Sequence, residues 1–232
     1  MVATGLFVTG TDTEIGKTVI ACGLLEGLRR AGLRAAAMKP VASGCRETAH
    51  GLRNEDAEHL SRVAAVQAPY SQINPYALAP AIAPHLAAEE AGVRVDPAEI
   101  AACYGRLASG AELTVVEGAG GWRVPLAPGF DMSDLAAHLK LPVLLVVGIR
   151  LGCINHARLS AEAILADGRP LLGWVANVLT DNRAEAQIAS LQTRMPSPLI
   201  GTVPWMQAPD PASVADHLAI DTLLKRLRAA ED

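Results

Sequence analysis

The apolar residues of this chain fall into short continuous runs, not into an alternation with polar ones. Residues 6–8, 34–38, 113–117, 142–148, 172–177 and 199–203 each read as a strand buried on both faces. Between them lie segments with helical spacing: 17–31, one opening at Asn54, 97–109, 132–139, one leading from 151–156 to about 167, then 183–195 and 213–230. Strands and helices therefore alternate along the whole chain. That order predicts an α/β fold, a mostly parallel sheet flanked by helices on both faces, in a single domain over residues 1–232. No internal repeat or low-complexity segment interrupts it.

Punctuation residues sharpen these elements. Gly32 is placed to cap the first helix at its C-terminus. Asn54 is placed to cap the next at its N-terminus, and Asp96-Pro97-Ala98-Glu99 combines an N-cap, a proline at N1 and a carboxylate at N3. Residues 46–53 read as a polar loop and 122–130 as an excursion with two prolines. Residues 69–84 carry four prolines together with Tyr70, Ile73 and Tyr76, the composition of an ordered loop or lid.

Composition narrows the class. Half of the 232 residues are apolar but only 3% are aromatic, so the core is built from Ala, Val, Leu and Ile. A net charge of −4 argues against a nucleic-acid surface. The four cysteines, Cys22, Cys45, Cys103 and Cys153, form no Cys-x-x-Cys pair, so they suggest neither a zinc site nor a redox motif. No apolar stretch reaches the length of a membrane span, and a strand begins by Leu6, too early for a signal peptide. The basic cluster Lys225-Arg226-Leu227-Arg228 sits on an amphipathic terminal helix that is expected to pack on the sheet. These features predict a cytoplasmic protein in a reducing compartment, with no membrane and no nucleic-acid partner.

The chemistry starts at the first strand. Val8-Thr9-Gly10-Thr11-Asp12-Thr13-Glu14-Ile15-Gly16-Lys17-Thr18 runs from strand through loop into helix, the context of a phosphate-binding loop. The first N–H groups of a helix lack intrahelical partners, and the helix dipole favours negative charge there. Gly16 lets the backbone approach a phosphate, Lys17 supplies a positive charge, and the Thr18 hydroxyl suits Mg²⁺. A lysine in the first turn opposes the dipole, and a bound anion explains that choice. The loop is one residue longer than the generic pattern, with Gly10 in place of a glycine at position 11.

Further candidates lie where the strands end, since ligands of open α/β sheets bind beyond the strands' carboxyl ends. Pro40 stops the second strand and puts Lys39 on that rim. Glu117 ends an apolar strand directly before Gly118-Ala119-Gly120-Gly121, the placement of an acidic Mg²⁺ ligand beside glycines that admit a substrate. Asp56 reads equally as a metal ligand and as a carboxylate favoured in a first helical turn. His59 has no second ligand at metal spacing, and His85 stands alone.

These stretches, with Lys-Pro-Val-Ala-Ser-Gly at 39–44, Glu-Gly-Ala-Gly-Gly-Trp at 117–122, Leu-Gly-Cys-Ile-Asn-His-Ala at 151–157 and Gly-Trp-Val-Ala-Asn at 173–177, together resemble the dethiobiotin synthetase family over nearly the whole chain. The long phosphate loop is the form that family uses. The resemblance implies a P-loop fold and an ATP- and Mg²⁺-dependent ring closure in biotin biosynthesis, with 7,8-diaminononanoate and CO₂ or bicarbonate as substrates. It implies that Lys39 and Lys17 stabilise charge on the γ-phosphate and carbamate. Thr13, Glu14, Ile15, Gly16, Lys17, Thr18 and Val19 would hold the phosphates of ATP, with Asp56, Glu117, Gly118, Ala119 and Gly120 nearby. Thr18, Asp56 and Glu117 would hold Mg²⁺. Asn177, Pro204, Trp205 and Met206 would take the adenine, with Asp210 a further candidate. Ser43 and Gly118 would contact the diamine. Leu151, Gly152 and Asn155 would reach it from the partner subunit of a homodimer. Where members often have Asp after the adenine-reading Asn, this chain has Val178, which implies looser selection of the base.

Two other classes share parts of this pattern. A regulatory ATPase switch of the partitioning type carries an additional lysine early in the phosphate loop, where this chain has Thr11 and Asp12. An amidating synthetase of the cobyrinate type usually comes with a glutamine-hydrolysing domain, for which 232 residues leave no room.

Overall fold

The computed structural model describes residues 4–180 and 184–230. Its central sheet has six parallel strands: β1 (Thr4–Gly10), β2 (Ala35–Met38), β3 (Leu113–Gly121), β4 (Val143–Ile149), β5 (Leu171–Val178) and β6 (Leu199–Val203). They are ordered β6-β5-β4-β1-β3-β2, so the chain direction across the sheet reverses at β1. The helices are α1 (Lys17–Arg30), α2 (Glu55–Val63), α3 (Pro97–Ser109), α4 (Met132–His138), α5 (Cys153–Ala166), α6 (Ala184–Gln192), α7 (Pro211–Ala215) and α8 (Ile220–Ala229), with short pieces at Tyr70–Ile73 and Pro84–Glu90.

The continuous apolar runs are explained by two cores, one on each face. Successive strand residues point to opposite faces. Leu6 and Val8 of β1 and Leu144 and Val146 of β4 join α1, α2, α7 and α8, whereas Phe7, Val143, Leu145 and Val147 join α3, α4, α5 and α6. On α1, a Cβ at Gly23 would sit 2.3 Å from Val214, so a glycine there lets α7 lie against α1. Asn54 caps α2 through the Ala57 N–H, and Asp96 caps α3 through the Ala98 N–H, at the positions the sequence marks.

The structure departs from the sequence pattern in several places. Residues 46–53 are not a loop but an antiparallel hairpin, Arg46–Thr48 with Gly51–Arg53, turned by Gly51 at φ 85°. The excursion after Trp122 also contains a hairpin, Pro125–Ala127 with Phe130–Asp131. In the proline-rich stretch, Tyr76–Ala77 pairs with Val41–Ala42 and fixes the segment to the body of the protein. Strand β3 continues through its glycines to Gly121, which rejoins β1 at Gly10 after an irregularity in register. The terminal helix expected over 213–230 is two helices. The chain leaves helical geometry where Leu218 bridges to Gly201 and the Ala219 N–H donates to the Ile200 carbonyl, extending the β6 edge. Arg183, expected to open a helix, lies outside the described residues, and α6 begins at Ala184.

Candidate active site

Between β1 and α1 the chain turns through a loop that only particular residues allow. Glu14 has φ 57° and Gly16 φ 82°, both left-handed. Asn177, at the end of β5, donates its Nδ2 to the Ile15 carbonyl at 2.8 Å. A Cβ on Gly16 would stand 2.2 Å from that same nitrogen. Glycine at 16 is thus required twice, by its backbone angle and by the amide resting on it. Lys17 folds back over the loop and donates to the Asp12 carbonyl at 2.7 Å. The Asp12 carboxylate accepts from the Thr13 N–H at 2.8 Å and pairs with Arg150 beyond the end of β4.

Across the cleft, three chain segments meet at Lys39. Its Nζ donates to Glu117 Oε1 at 2.5 Å, to Asp56 Oδ2 at 2.9 Å and to the Gly118 carbonyl at 3.4 Å. Thr18 Oγ1 donates to the same Glu117 oxygen at 2.9 Å. Glu117 is wholly buried, and its other oxygen, Oε2, has no hydrogen-bond partner among the described residues. Strand β2 delivers Lys39, β3 delivers Glu117, the first turn of α2 delivers Asp56 and the first turn of α1 delivers Thr18. The alternative reading of Asp56 as an ordinary first-turn carboxylate does not account for its ion pair with Lys39.

Burial acts on both lysines. For Lys17, burial and the nearby Lys39 ammonium outweigh the carboxylates and lower its pKa to about 8. For Lys39, burial opposes the charge, but Glu117 and Asp56 outweigh it and hold its pKa above the ordinary lysine value. Asp56 is correspondingly held below the ordinary carboxylate range: burial resists, and the Lys39 ammonium overcomes it. Cys22 lies on the cleft wall, where burial and then Glu117 and Asp56 push its thiol up to about 12. It is a protonated thiol, not a nucleophile.

Both lysines open onto one cleft of about 1310 Å³. Its walls take in Thr13, Glu14, Gly16, Lys17, Thr18, Val19, Lys39, Ser43, Asp56, Glu117, Ala119 and Gly120, so most of the residues expected around the phosphates come together. Ile15 and Gly118 lie just behind this lining: Ile15 is buried, and the Gly118 carbonyl faces Lys39. Among the described residues, no group of three or more His, Cys, Asp or Glu side chains could hold a metal ion. The acidic ligands present are the carboxylates of Asp56 and Glu117, with the Thr18 hydroxyl beside them.

A family model described as an AAA domain matches residues 4–213. The ATP-dependent dethiobiotin synthetase BioD of Pseudomonas aeruginosa (strain UCBPP-PA14) is 59% identical over 220 residues, covering 94% of this chain and 96% of that protein. The synthetase of the same name from Chromohalobacter salexigens is 50% identical over 231 residues, covering 95% and 97%. The chain belongs to the ATP-dependent dethiobiotin synthetases.

In overall shape this synthetase is similar to a ParA family ATPase from Chlorobium tepidum TLS, with a TM-score of 0.56 at 12% identity over 98% of this chain and 96% of that one. The MinD cell division protein of Aquifex aeolicus gives 0.55 at 10% identity with the same coverage. At such identity the likeness shows the fold alone, a parallel sheet flanked by helices.

Other residues expected in the synthetase site fall outside the cleft lining. Asn177 braces the phosphate loop, and its bond to Ile15 is a role that sequence reading did not foresee. Pro204 and Trp205 are exposed on the segment after β6, Trp205 at 57%, with Met206 half-buried beside them. Leu151, Gly152 and Asn155 are exposed around the start of α5, Leu151 at 97%. The cleft instead extends along α1 past Cys22 to Arg62 and to Pro209, Asp210 and Pro211. Asp210 faces it while also capping α7 through the Ala212 and Ser213 N–H groups. Arg62 carries no motif signal and is found only from the fold.

Proposed function

We propose that this cleft closes the ureido ring of dethiobiotin from 7,8-diaminononanoate, CO₂ and ATP, one step of biotin biosynthesis, within one synthetase domain spanning the chain. The observation that carries the reading is the convergence of Lys39, Glu117, Asp56 and Thr18 beside a phosphate loop, where the cleft's thiol, Cys22, is held protonated. The reaction needs no side-chain nucleophile. One substrate amine attacks CO₂ and loses a proton, giving a carbamate. A carbamate oxygen attacks the γ-phosphorus of ATP, and ADP leaves. The second amine then attacks the carbamoyl carbon and loses a proton, the bond from that carbon to the phosphate oxygen breaks, and phosphate leaves with the ring closed.

What this asks of the protein is alignment and charge compensation. The loop from Thr13 to Thr18, with Val19 behind it, offers backbone N–H groups to the phosphates. Lys17 neutralises their charge. Lys39, at the end of β2, would meet the carbamate and the transferring phosphoryl group, and Ser43, with Gly118 just behind the lining, would flank the diamine. The donor set fits Mg²⁺: Thr18, Asp56 and Glu117 present hard oxygens, and Glu117 Oε2 is buried and unpartnered. Bound there, Mg²⁺ would neutralise phosphate charge. Lys39 neutralises those same carboxylates in the structure, so its ammonium offsets the repulsion between the buried Glu117 and the part-exposed Asp56 before ligands arrive.

Asn177, whose Nδ2 braces the loop, would offer its remaining amide groups to adenine, with Pro204, Trp205 and Met206 beside the base and Asp210 and Pro211 as a second wall. The exposed Leu151, with Gly152 and Asn155, supports a homodimer in which this segment completes the partner's diamine site. No helix among the described residues is long and apolar enough to cross a membrane, and we place the enzyme in the cytoplasm. The test is phosphate release from ATP and Mg²⁺ with and without diaminononanoate and bicarbonate, followed by mass analysis. Strong stimulation with a cyclic urea product is expected. ATP turnover indifferent to the diamine would overturn the reading.

A further inference from the structure

Lys39 and Asp56 belong to different elements, separated by an exposed hairpin, yet their charged atoms sit 2.9 Å apart. A hydrogen-bonded path through the proline-rich stretch connects their backbones. The Lys39 N–H donates to the Ile73 carbonyl at 2.8 Å, and Asn74 Nδ2 donates to the Lys39 carbonyl at 2.7 Å. Asn74 Oδ1 accepts from the Tyr70 hydroxyl at 3.0 Å. The same hydroxyl oxygen accepts from the Asn54 N–H at 2.7 Å. Asn54 caps α2, whose first turn carries Asp56, and its Nδ2 reaches the Ser43 carbonyl at 3.5 Å. Lys39, Ser43 and Asp56, expected to face the diamine, the phosphoryl group and the metal, are thus all tied to this one path.

The residue types are those the path requires. Asn74 is 3% exposed, and a carboxamide is the side chain that can donate to one buried group while accepting from another. Tyr70 uses its single O–H and an oxygen lone pair at once, and Arg53 stacks 4.1 Å over its ring. Burial pushes the Tyr70 hydroxyl above its ordinary pKa, so it remains a donor in the working range. Buried networks in which every member is satisfied hold a single geometry.

We propose that Asn74 and Tyr70 are positioning residues for the ring-closing reaction, setting the Lys39–Asp56 separation through the Lys39 carbonyl and the Asn54 cap of α2. This rests on the function proposed above. It also changes the meaning of residues 69–84, whose first part braces the cleft and does not act as a lid.

The test is Tyr70→Phe, which deletes the hydroxyl and keeps the ring, with Asn74→Ala as a second variant. We expect kcat for dethiobiotin formation to fall about tenfold, from a displacement well below an ångström, with KM for ATP within about twofold of the parent. A double-mutant cycle with Asp56→Asn decides the route. If Tyr70 acts through Asp56, Tyr70→Phe costs less than about twofold in the Asp56→Asn background. Additive losses, an unchanged kcat, or a loss matched by a rise in KM for ATP would overturn the proposal. Backbone amide shifts of Lys39 and Asp56 in the ligand-free protein are independent of turnover. Tyr70→Phe should move both, because the hydroxyl joins their two segments, and unmoved Lys39 and Asp56 signals would contradict the proposal even if the enzyme's substrate were another. Absence of any cyclic urea from the parent enzyme, with those signals still shifted, would fault the function and leave the network standing.

Discussion

Lys17 and Lys39 share one cleft and are buried almost equally, at 6% and 4% exposure, yet burial has opposite outcomes for them. Lys17 is met by a backbone carbonyl and faces the Lys39 ammonium, so its charge is held weakly and its pKa falls to about 8. Lys39 is clamped by two carboxylates, and its charge is held more firmly than that of a lysine in water. Equal burial therefore does not mean equal chemistry; the partners decide. A weakly held ammonium at a helix N-terminus gains most when a polyanion arrives, which suits Lys17 to binding ATP. A locked ammonium suits the turnover role proposed for Lys39.

The largest expected effect follows from that division. Lys39→Ala should lower turnover by about a thousandfold, the scale of losing one preorganised charge from a transition state, and leave the Kd for ATP within about threefold. Product formation and calorimetric titration of ATP check the two halves. Equal losses in both would erase the distinction between the lysines.

Removing a carboxylate sharpens the contrast from the other side. Glu117→Gln leaves the Lys39 ammonium with Asp56 as its one paired carboxylate. Breaking a buried pair this way should cost about 3 kcal/mol of stability, a fall in Tm of roughly 6–12 °C for a chain of this size. Thermal unfolding of the ligand-free protein reads it directly.

The pH dependence distinguishes Lys17. Folded Lys17 releases its proton near pH 8, and the unfolded chain keeps it to about 10.5. Between these values the unfolded state binds more protons, so the ligand-free protein should gain stability as pH rises. ATP affinity should fall over the same range, because binding then has to restore the ammonium. At pH 9 calorimetry in buffers of different ionisation enthalpy should show uptake of up to about one proton per ATP bound. The smallest effect is expected at the loop's exposed ion pair: Asp12→Asn, which removes the partner of Arg150, should change stability by less than about 1 kcal/mol.

The sequence made much of the Lys17 region legible and less of the Lys39 region. The phosphate loop is written in consecutive residues, and the parallel sheet follows from apolar runs with no alternation. Lys39 and Glu117 could be placed on the rim because a proline stops one strand and a glycine run follows the apolar part of the other, although that strand runs on to Gly121. What joins them could not be read. Asp56 was explained equally well by helix-end electrostatics, since nothing local to residues 54–58 indicates a partner 17 positions earlier. Asn74 and Tyr70 act through hydrogen bonds to residues 35 and 16 positions away, and such contacts leave no periodic signature. The hairpin at 46–53 was hidden because its strands are short and mostly exposed, without the apolar pattern that marks a strand. The break in the terminal helix was hidden by a continuous amphipathic pattern that tertiary pairing at the β6 edge overrode.

The most direct test of the division between the two lysines is an NMR titration of the side-chain ammonium groups in the ligand-free protein. The chain has four lysines, and Lys140 and Lys225 are exposed, so substitution assigns the resonances. The account predicts that the Lys17 signal titrates near pH 8 and that Lys39 holds its proton beyond the ordinary lysine value. Two buried lysines titrating together, or Lys39 losing its proton first, would contradict it.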